Sequence, residues 1–376
     1  MFWTGYIGAD RFFRNIDNYN SFTKRRKTQM LKGKSISKFF ALALTIGTLI
    51  FLSSDVLAQT TIKLAHGMPP IDDENIHRAV SVFKNIVEQK TAGKVKVEIY
   101  PSNQLGRERE QFEGVKLGTI EMCMIADGPI AGFLPEIMTI GIPYLYSNEA
   151  VAWRSLDSSF GKSLFEEMRK KTGVRALGIG ENGFRNFTNR TRPIRTPDDL
   201  KGLKIRTMEN PAHMAMVRAM GASPTPIAWG EVYMALQQGV VDGQENPVSV
   251  IQVAKFNEVQ KYLTLDGHVY SILPILINDK FFSSLSPDVQ KIIVDTAKIM
   301  VTISRGQNIY LVANGVKSLQ DKGMEVYAPN EKELQMFRDK SQKPVIEFLE
   351  KTFAEKKVDK KWIDMALKSA KASEKE

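Results

Sequence analysis

Residues 174–190 read "VRALGIGENGFRNFTNR". Gly178, Gly180 and Gly183 match G-x-G-x-x-G, the spacing of a dinucleotide loop. Such a loop needs a helix directly after it, because the pyrophosphate rests on the helix N-terminus. The next residues are "FRNFTNRTRPIRTP" (184–197), a second β-like stretch and then Pro193 and Pro197. No helix starts promptly there. The run therefore predicts a strand whose glycines admit another backbone closely. Arg185 stands at the end of that strand, where ligands of open α/β sheets collect.

The pattern on either side alternates strand and helix. "TIKLAH" (61–66), "KVKVEIYP" (94–101), "IEMCMIA" (120–126) and "LKIRT" (203–207) read as strands. "DDENIHRAVSVFKNIVEQKTAG" (72–93) places Ile76, Val80, Phe83 and Val87 at helical spacing before a glycine stop. Residues 107–118, 211–221 and 229–239 are shorter helices. Residues 286–323 form one very long helical pattern, opened by Ser286 as cap and Pro287 in the first turn. Helical periodicity continues through 331–353 and 360–373. The fold class is α/β, with largely parallel pairing.

The chain has 376 residues, enough for two cores, with 43% hydrophobic and 25% charged residues. Of the net charge of +10, residues 1–58 hold +6, from nine Lys or Arg against three Asp or Glu. The remaining +4 is too mild for a nucleic-acid binder, and no such motif accompanies it. Lys32, Lys34 and Lys38 precede an apolar run of 14 residues, Phe39–Leu52, too short to span a bilayer of ~30 Å. Val56 and Ala58 then sit at the −3 and −1 positions of a small-residue cleavage site. Residues 1–58 thus read as a removable export signal, with Met30 as an alternative start. The mature chain is expected in an extracytoplasmic space. The single cysteine, Cys123, lies in an apolar strand and reads as an inert buried thiol.

Among chemical constellations, catalysis finds no support. His66, His77, His213 and His268 show no metal spacing, and neither H-E-x-x-H, G-x-S-x-G nor a P-loop occurs. Asp72, Asp73 and Glu74 fit a helix N-terminus. Binding fares better. Arg206, at the end of "LKIRT", shares a face with Lys204 while Leu203 and Ile205 share the other. An arginine so placed can grip a carboxylate with two parallel N–H···O bonds, or form a surface ion pair. Asn246 in "GQENP" offers an amide to a polar ligand or caps a turn. Trp229 and Tyr233 either wall a pocket or pack in the core.

The segments "GFRNFTN…RPIRTPDDLKGLKIR", "MGASPTPIAWGEVYMALQQGVVDGQENP" and "YPSNQLG…GVKLGTIEM" resemble the extracytoplasmic solute receptors of TRAP transporters (tripartite ATP-independent periplasmic), dicarboxylate-binding type. The resemblance runs from about Thr61 to the mid-300s. It implies a two-lobed periplasmic-binding-protein-like fold with a hinge and a long helix along both lobes. Lobe I would comprise 59–182 plus about 272–311, and lobe II 183–271 plus about 312–376. Arg206 would be the principal carboxylate clamp, Arg185 its assistant, Asn246 a hydrogen-bond partner and Trp229 a cleft wall. His66, Gln104, Arg109, Asp127 and Gly128 lie in the first-lobe segments that supply variable contacts. The implied partners are a small organic acid and the small and large integral membrane subunits. The receptor would be a monomer with no cofactor, no metal and no catalytic activity. A receptor serving a sensor or another transporter class, and an extracytoplasmic enzyme on this fold, remain the alternatives.

Overall fold

A computed structural model describes residues 59–375. The export signal expected within residues 1–58 lies outside the described residues. One mixed sheet organises the chain. Its first half holds β1 (Thr60–His66), β2 (Val95–Tyr100) and β3 (Met122–Met124), with β1 parallel to both neighbours. Its second half holds β5 (Lys204–Thr207), β6 (Ser223–Pro226) and β7 (Gly243–Asn246), with β5 parallel to both neighbours. Two long strands join the halves: β4 (Val174–Asn189) and β8 (Tyr262–Asn278). A short β9 (Glu325–Tyr327) pairs with β8. The strand order is β2-β1-β3-β8-β4-β7-β5-β6.

Parallel pairing therefore holds within each half, as expected. The long β4–β8 ladder that joins them is antiparallel, as are β3–β8 and β4–β7. The 184–189 stretch is not a second strand but the continuation of the first, past register shifts at Ala176/Gly178, Glu181/Gly183 and Arg185/Phe187. Bulges of this kind bend a strand and let it pass from one half to the other.

Helices cover both faces. In chain order they are α1 (Asn75–Lys90), α2 (Glu108–Leu117), α3 (Glu149–Asp157), α4 (Ser159–Thr172), α5 (Pro211–Ala219), α6 (Val232–Gln237), α7 (Val248–Val253), α8 (Asp279–Ser284), α9 (Pro287–Asp321), α10 (Glu331–Lys356) and α11 (Lys361–Ser373). α9 is the expected long helix, 35 residues, capped by the Ser286 hydroxyl at the Val289 N–H. Gly178, Gly180 and Gly183 face it. A Cβ on them would approach Val301, Ser304 and Asn308 to 2.6, 2.9 and 2.8 Å. Those three residues lie on one face of α9, so the glycine run is a track on which the long helix rests. Gly183 also adopts φ +112, a conformation strained for any other residue.

Alternating side chains divide the core. Cys123, Ile272 and Leu276 join Ile205, Met216 and Phe337 in one apolar cluster that underlies both halves of the sheet. On the opposite face the core is split. Met122, Met124 and Ile275 pack with α1 and α9 under the first half, while Val232, Val248 and Leu263 pack under the second. Trp229 lies against both of these clusters, at the seam. The C-terminal segment, expected to stay with the second lobe, divides: α10 packs on α5, but α11 packs on α3 and α4. Arg154 donates twice to the Ser373 carbonyl there, at 3.0 and 2.6 Å.

Glu181 ties the bulge to three helices. Its carboxylate accepts from Trp153 Nε1 (2.6 Å) on α3 and Asn308 Nδ2 (3.1 Å) on α9, and its carbonyl accepts from Asn75 Nδ2 (3.0 Å) on α1. Burial pushes its carboxyl up to about 7, against the Trp153 hydrogen bond that favours the anion. A folded-state value above the unfolded one means stability that is full in acid and lost as the pH climbs toward 7. The loss amounts to ~3 kcal/mol. Glu181→Gln removes that slope. Its unfolding free energy relative to the wild type is expected to improve by ~3 kcal/mol between pH 4.5 and 8 in denaturant titrations. A difference that does not move with pH contradicts the assignment.

Candidate functional site

A small buried cavity opens at the seam between the two split clusters. Its walls include Met68, Ile76, Glu108, Ala126, Asn182, Arg206, Met208, Trp229, Asn246, Val250 and Leu273. A narrower extension adds Pro129 and Glu209. The two parts measure about 30 and 10 Å³. Several of the wall residues stand at element ends. β5 delivers Arg206 at its carboxyl terminus, and Ile205 beside it faces the continuous cluster behind the sheet. β7 delivers Asn246, and the turn Trp229–Glu231 delivers the indole.

Arg206 is 2% exposed. Its Nε and Nη2 both donate to the Ile227 carbonyl, at 2.9 and 2.7 Å. Its Nη1 has no partner. One edge of the guanidinium is thus anchored, and the free Nη1 belongs to a wall residue of the cavity. Burial, followed by the charge of Arg185, lowers its pKa to about 10. It remains a cation at neutral pH, but one that the folded protein tolerates poorly. An arriving carboxylate relieves both the charge and the orphaned donor.

Arg185 is wholly buried and does not line the cavity. It forms an ion pair with Glu245, with Nη2 2.9 Å from Oε1, and donates to the Glu245 carbonyl at 2.5 Å. His268 completes the group, with Nδ1 2.8 Å from Asp266 and Nε2 3.4 Å from Glu245. Burial opposes charge in both partners but loses. The Asp266 carboxylate carries His268 up to about 9, and Arg185 with His268 holds the Glu245 carboxyl well below the usual range.

Of the sequence candidates, Arg206, Asn246 and Trp229 come together at the cavity. The Asn246 amide donates to Gln244 Oε1 at 2.5 Å. The others sit elsewhere. Asp127 Oδ1 accepts from Ser271 Oγ (2.5 Å) and Ile272 N (3.1 Å), clasping β8. His66 is buried against His77 (3.2 Å), and burial lowers its pKa to about 3. Gln104 and Arg109 are exposed, the latter stacked over Phe133. Tyr233 donates to Glu258 at 2.6 Å. Gly128 acts by its smallness: a Cβ there would come within 2.7 Å of the wall residue Met208.

Sequence reasoning overlooked Glu108, Asn182 and Met208. Glu108 carries no local signal, since an acid in the first turn of a helix needs no functional reason. Only the fold brings it into the same cavity wall as Arg206. A larger groove, about 560 Å³, lies between α4, α9 and β4. Its arginines are already committed, Arg169 to Glu166 and Asp279, and Arg175 to Asp279. It lacks the orphaned buried cation that marks the seam. No cluster of three or more metal-ligating side chains occurs among the described residues.

Residues 66–352 match the family described as "Bacterial extracellular solute-binding protein, family 7" (DctP). A "Solute-binding protein" of Verminephrobacter eiseniae is 43% identical over 271 residues, 72% of this chain and 79% of that one. A TRAP periplasmic solute-binding protein from Bordetella, solved with density assigned to pantoate, is 36% identical with a TM-score of 0.76. The match covers 83% of this chain and 99% of that one. A TRAP receptor from Polaromonas sp. JS666 bound to D-erythronate is 35% identical, with a TM-score of 0.75 and coverage of 82% and 98%. The two-lobed architecture of these receptors matches the two-part sheet of this chain.

Proposed function

The chain belongs to family 7 of the bacterial extracellular solute-binding proteins, the TRAP receptors, and from that premise we propose that it binds a small organic acid at the seam and delivers it to a TRAP membrane symporter. The single observation that carries the reading is Arg206: buried, anchored on one edge by Ile227, and left with a free Nη1 at the cavity wall. The ligand's carboxylate accepts from that nitrogen, Asn246 contributes its amide, and Trp229 covers an apolar face. Removing water from such a pair strengthens it, provided every lost hydration contact is replaced.

A cavity this small holds only a few waters, so ligand entry requires the halves to part. We place the hinge in β4 and β8 near residues 182 and 271, beside the Glu181/Gly183 register shift. The continuous cluster behind the sheet stays packed while the split face opens. Arg107 on one half pairs with Glu231 on the other, a contact that exists only when the halves meet. Ligand touching both halves favours the closed state, which the membrane subunits then recognise. The receptor acts in the periplasm as a monomer and performs no chemistry. The orphaned group is a binding cation, and among the described residues no nucleophile–base pair lines its cavity.

Thermal denaturation against a panel of sugar acids, hydroxy acids, dicarboxylates and 2-oxo acids tests this. An acid at 100 times its Kd adds ~2.7 kcal/mol of stability. A panel in which uncharged sugars stabilise the protein and no acid does would sink the reading.

A further inference from the structure

We infer that the first half of the sheet carries a docking groove for an extended, acidic segment of a partner protein, which adds a strand to the free edge of β4 between α4 and α9. The site is separate from the seam. The groove shares no lining residue with the cavity there.

The strand order leaves β4 with one neighbour over its first part. Val174–Arg185 pairs with β8, but β7 joins only at Asn186–Asn189. Among the described residues, the backbone of Arg175–Gly180 hydrogen-bonds to no element besides β8. A strand with one neighbour presents unused N–H and C=O groups on its other edge, a template for a further strand. The free run is ~20 Å long at ~3.3 Å per residue. Arg175–Ile179 is half-buried throughout, as an edge that no element covers should be. The outer edges of the sheet are defended, and this one is not. In β6, Pro224 and Pro226 have no N–H to give. In β2, Lys96 and Glu98 put charges on the edge. Residues 176–180 of β4 read "ALGIG", with neither a charge nor a proline. The register shift at Ala176/Gly178 bends the strand without blocking it.

The surroundings define the occupant. Phe165 on α4, Val301 on α9, and Leu177 and Ile179 on β4 line the groove, whose 560 Å³ is ample for a ligand. The lining holds the cations Lys162, Arg169, Arg175 and Lys298 against the acids Asp157 and Glu166. Both acids are committed, Asp157 to Arg305 and Glu166 to Arg169. Lys162 is exposed and joins no ion pair among the described residues. The matching segment therefore has apolar residues over the free run and acids at its ends. A second copy of the chain does not fit. Its own matching edge is recessed between its own α4 and α9, and two recessed edges cannot meet in the isologous contact of a symmetric dimer. A small amphipathic anion would fill the groove but leave the backbone edge unmet.

The probe is a fluorescein-labelled peptide of alternating valine and threonine, one for each residue of the free run, flanked by paired glutamates. Fluorescence anisotropy with the purified receptor is expected to show saturable binding, with a Kd of about 100 μM or tighter. N-methylating the central residues removes the peptide's N–H donors and should weaken binding about tenfold or more. Lysines in place of the glutamates should cost about tenfold, and so should Lys162→Glu combined with Lys298→Glu. Both lysines are exposed, so that variant should keep the wild-type circular dichroism and the wild-type affinity for any acid of the panel. On adding peptide, hydrogen exchange should slow about tenfold over residues 175–180 and stay unchanged in β2 and β6. Absence of saturable binding, indifference to N-methylation or to the rim charges, protection confined to another edge, or a receptor dimer that itself protects residues 175–180, each overturns the inference. None of these results involves the seam, so the receptor reading stands or falls separately, on the acid panel.

Discussion

Arg206→Ala is expected to remove useful binding of the organic acid and to leave the protein folded. Receptor affinity in the micromolar range corresponds to only about −8.2 kcal/mol. Truncating one partner of a buried, hydrogen-bonded charge pair costs ~2–5 kcal/mol, because the other charge stays desolvated and unmet. The ligand carboxylate is that other charge. Affinity should fall by about 30-fold at the least. The stability of the unliganded protein should move little. Burial and the charge of Arg185 depress the Arg206 pKa from 12.5 to about 10, so the fold disfavours this cation by ~3 kcal/mol. Deleting it relieves that penalty and offsets the lost hydrogen bonds to the Ile227 carbonyl. Arg206→Lys keeps a charge but not the planar fork, and should fall between the two. Calorimetry gives the affinity and denaturant titration the stability. Binding within threefold of wild type in Arg206→Ala would mean that another group clamps the acid.

The residues whose roles were readable in the sequence act through local pattern. Arg206 ends a strand of alternating character, and Ser286 with Pro287 announces the long helix. The dinucleotide match at 178–183 could be rejected because a missing helix is a local fact. What stayed hidden depends on pairing across the chain. β8 reads as an apolar run interrupted by Pro274 rather than as an alternating strand, because its central part is buried on both faces. Glu108 gains meaning only from Arg206, which lies 98 positions later. Arg185 read as a cation at a strand end, open to a ligand or to a surface ion pair. Its partner Glu245 is 60 residues away, on the strand that pairs with β4. A one-dimensional reading sees the charge but not whether it is already spent.

That pairing gives the second large effect. Glu245→Ala is expected to lower the unfolding free energy by ~3–5 kcal/mol, because it leaves Arg185 fully buried without its anion. The total for a folded domain is only ~5–15 kcal/mol. Arg185 already has one unpaired nitrogen, Nη1, so no spare acceptor stands ready. His268 adds to the cost, since it is held charged partly by Glu245. Glu245→Gln keeps the shape and one acceptor, and should cost less than the alanine. Replacing both members, as in Arg185→Met with Glu245→Leu, removes the uncompensated charge altogether. It should recover much of the loss, since paired buried ions often exchange for apolar residues with little net change. Denaturant unfolding of the two single variants and the double one decides it. If Glu245→Ala unfolds at the wild-type midpoint, the ion pair is not what holds β4 to β7. Arg185 would then have to be found reaching the cavity, as a ligand contact after all.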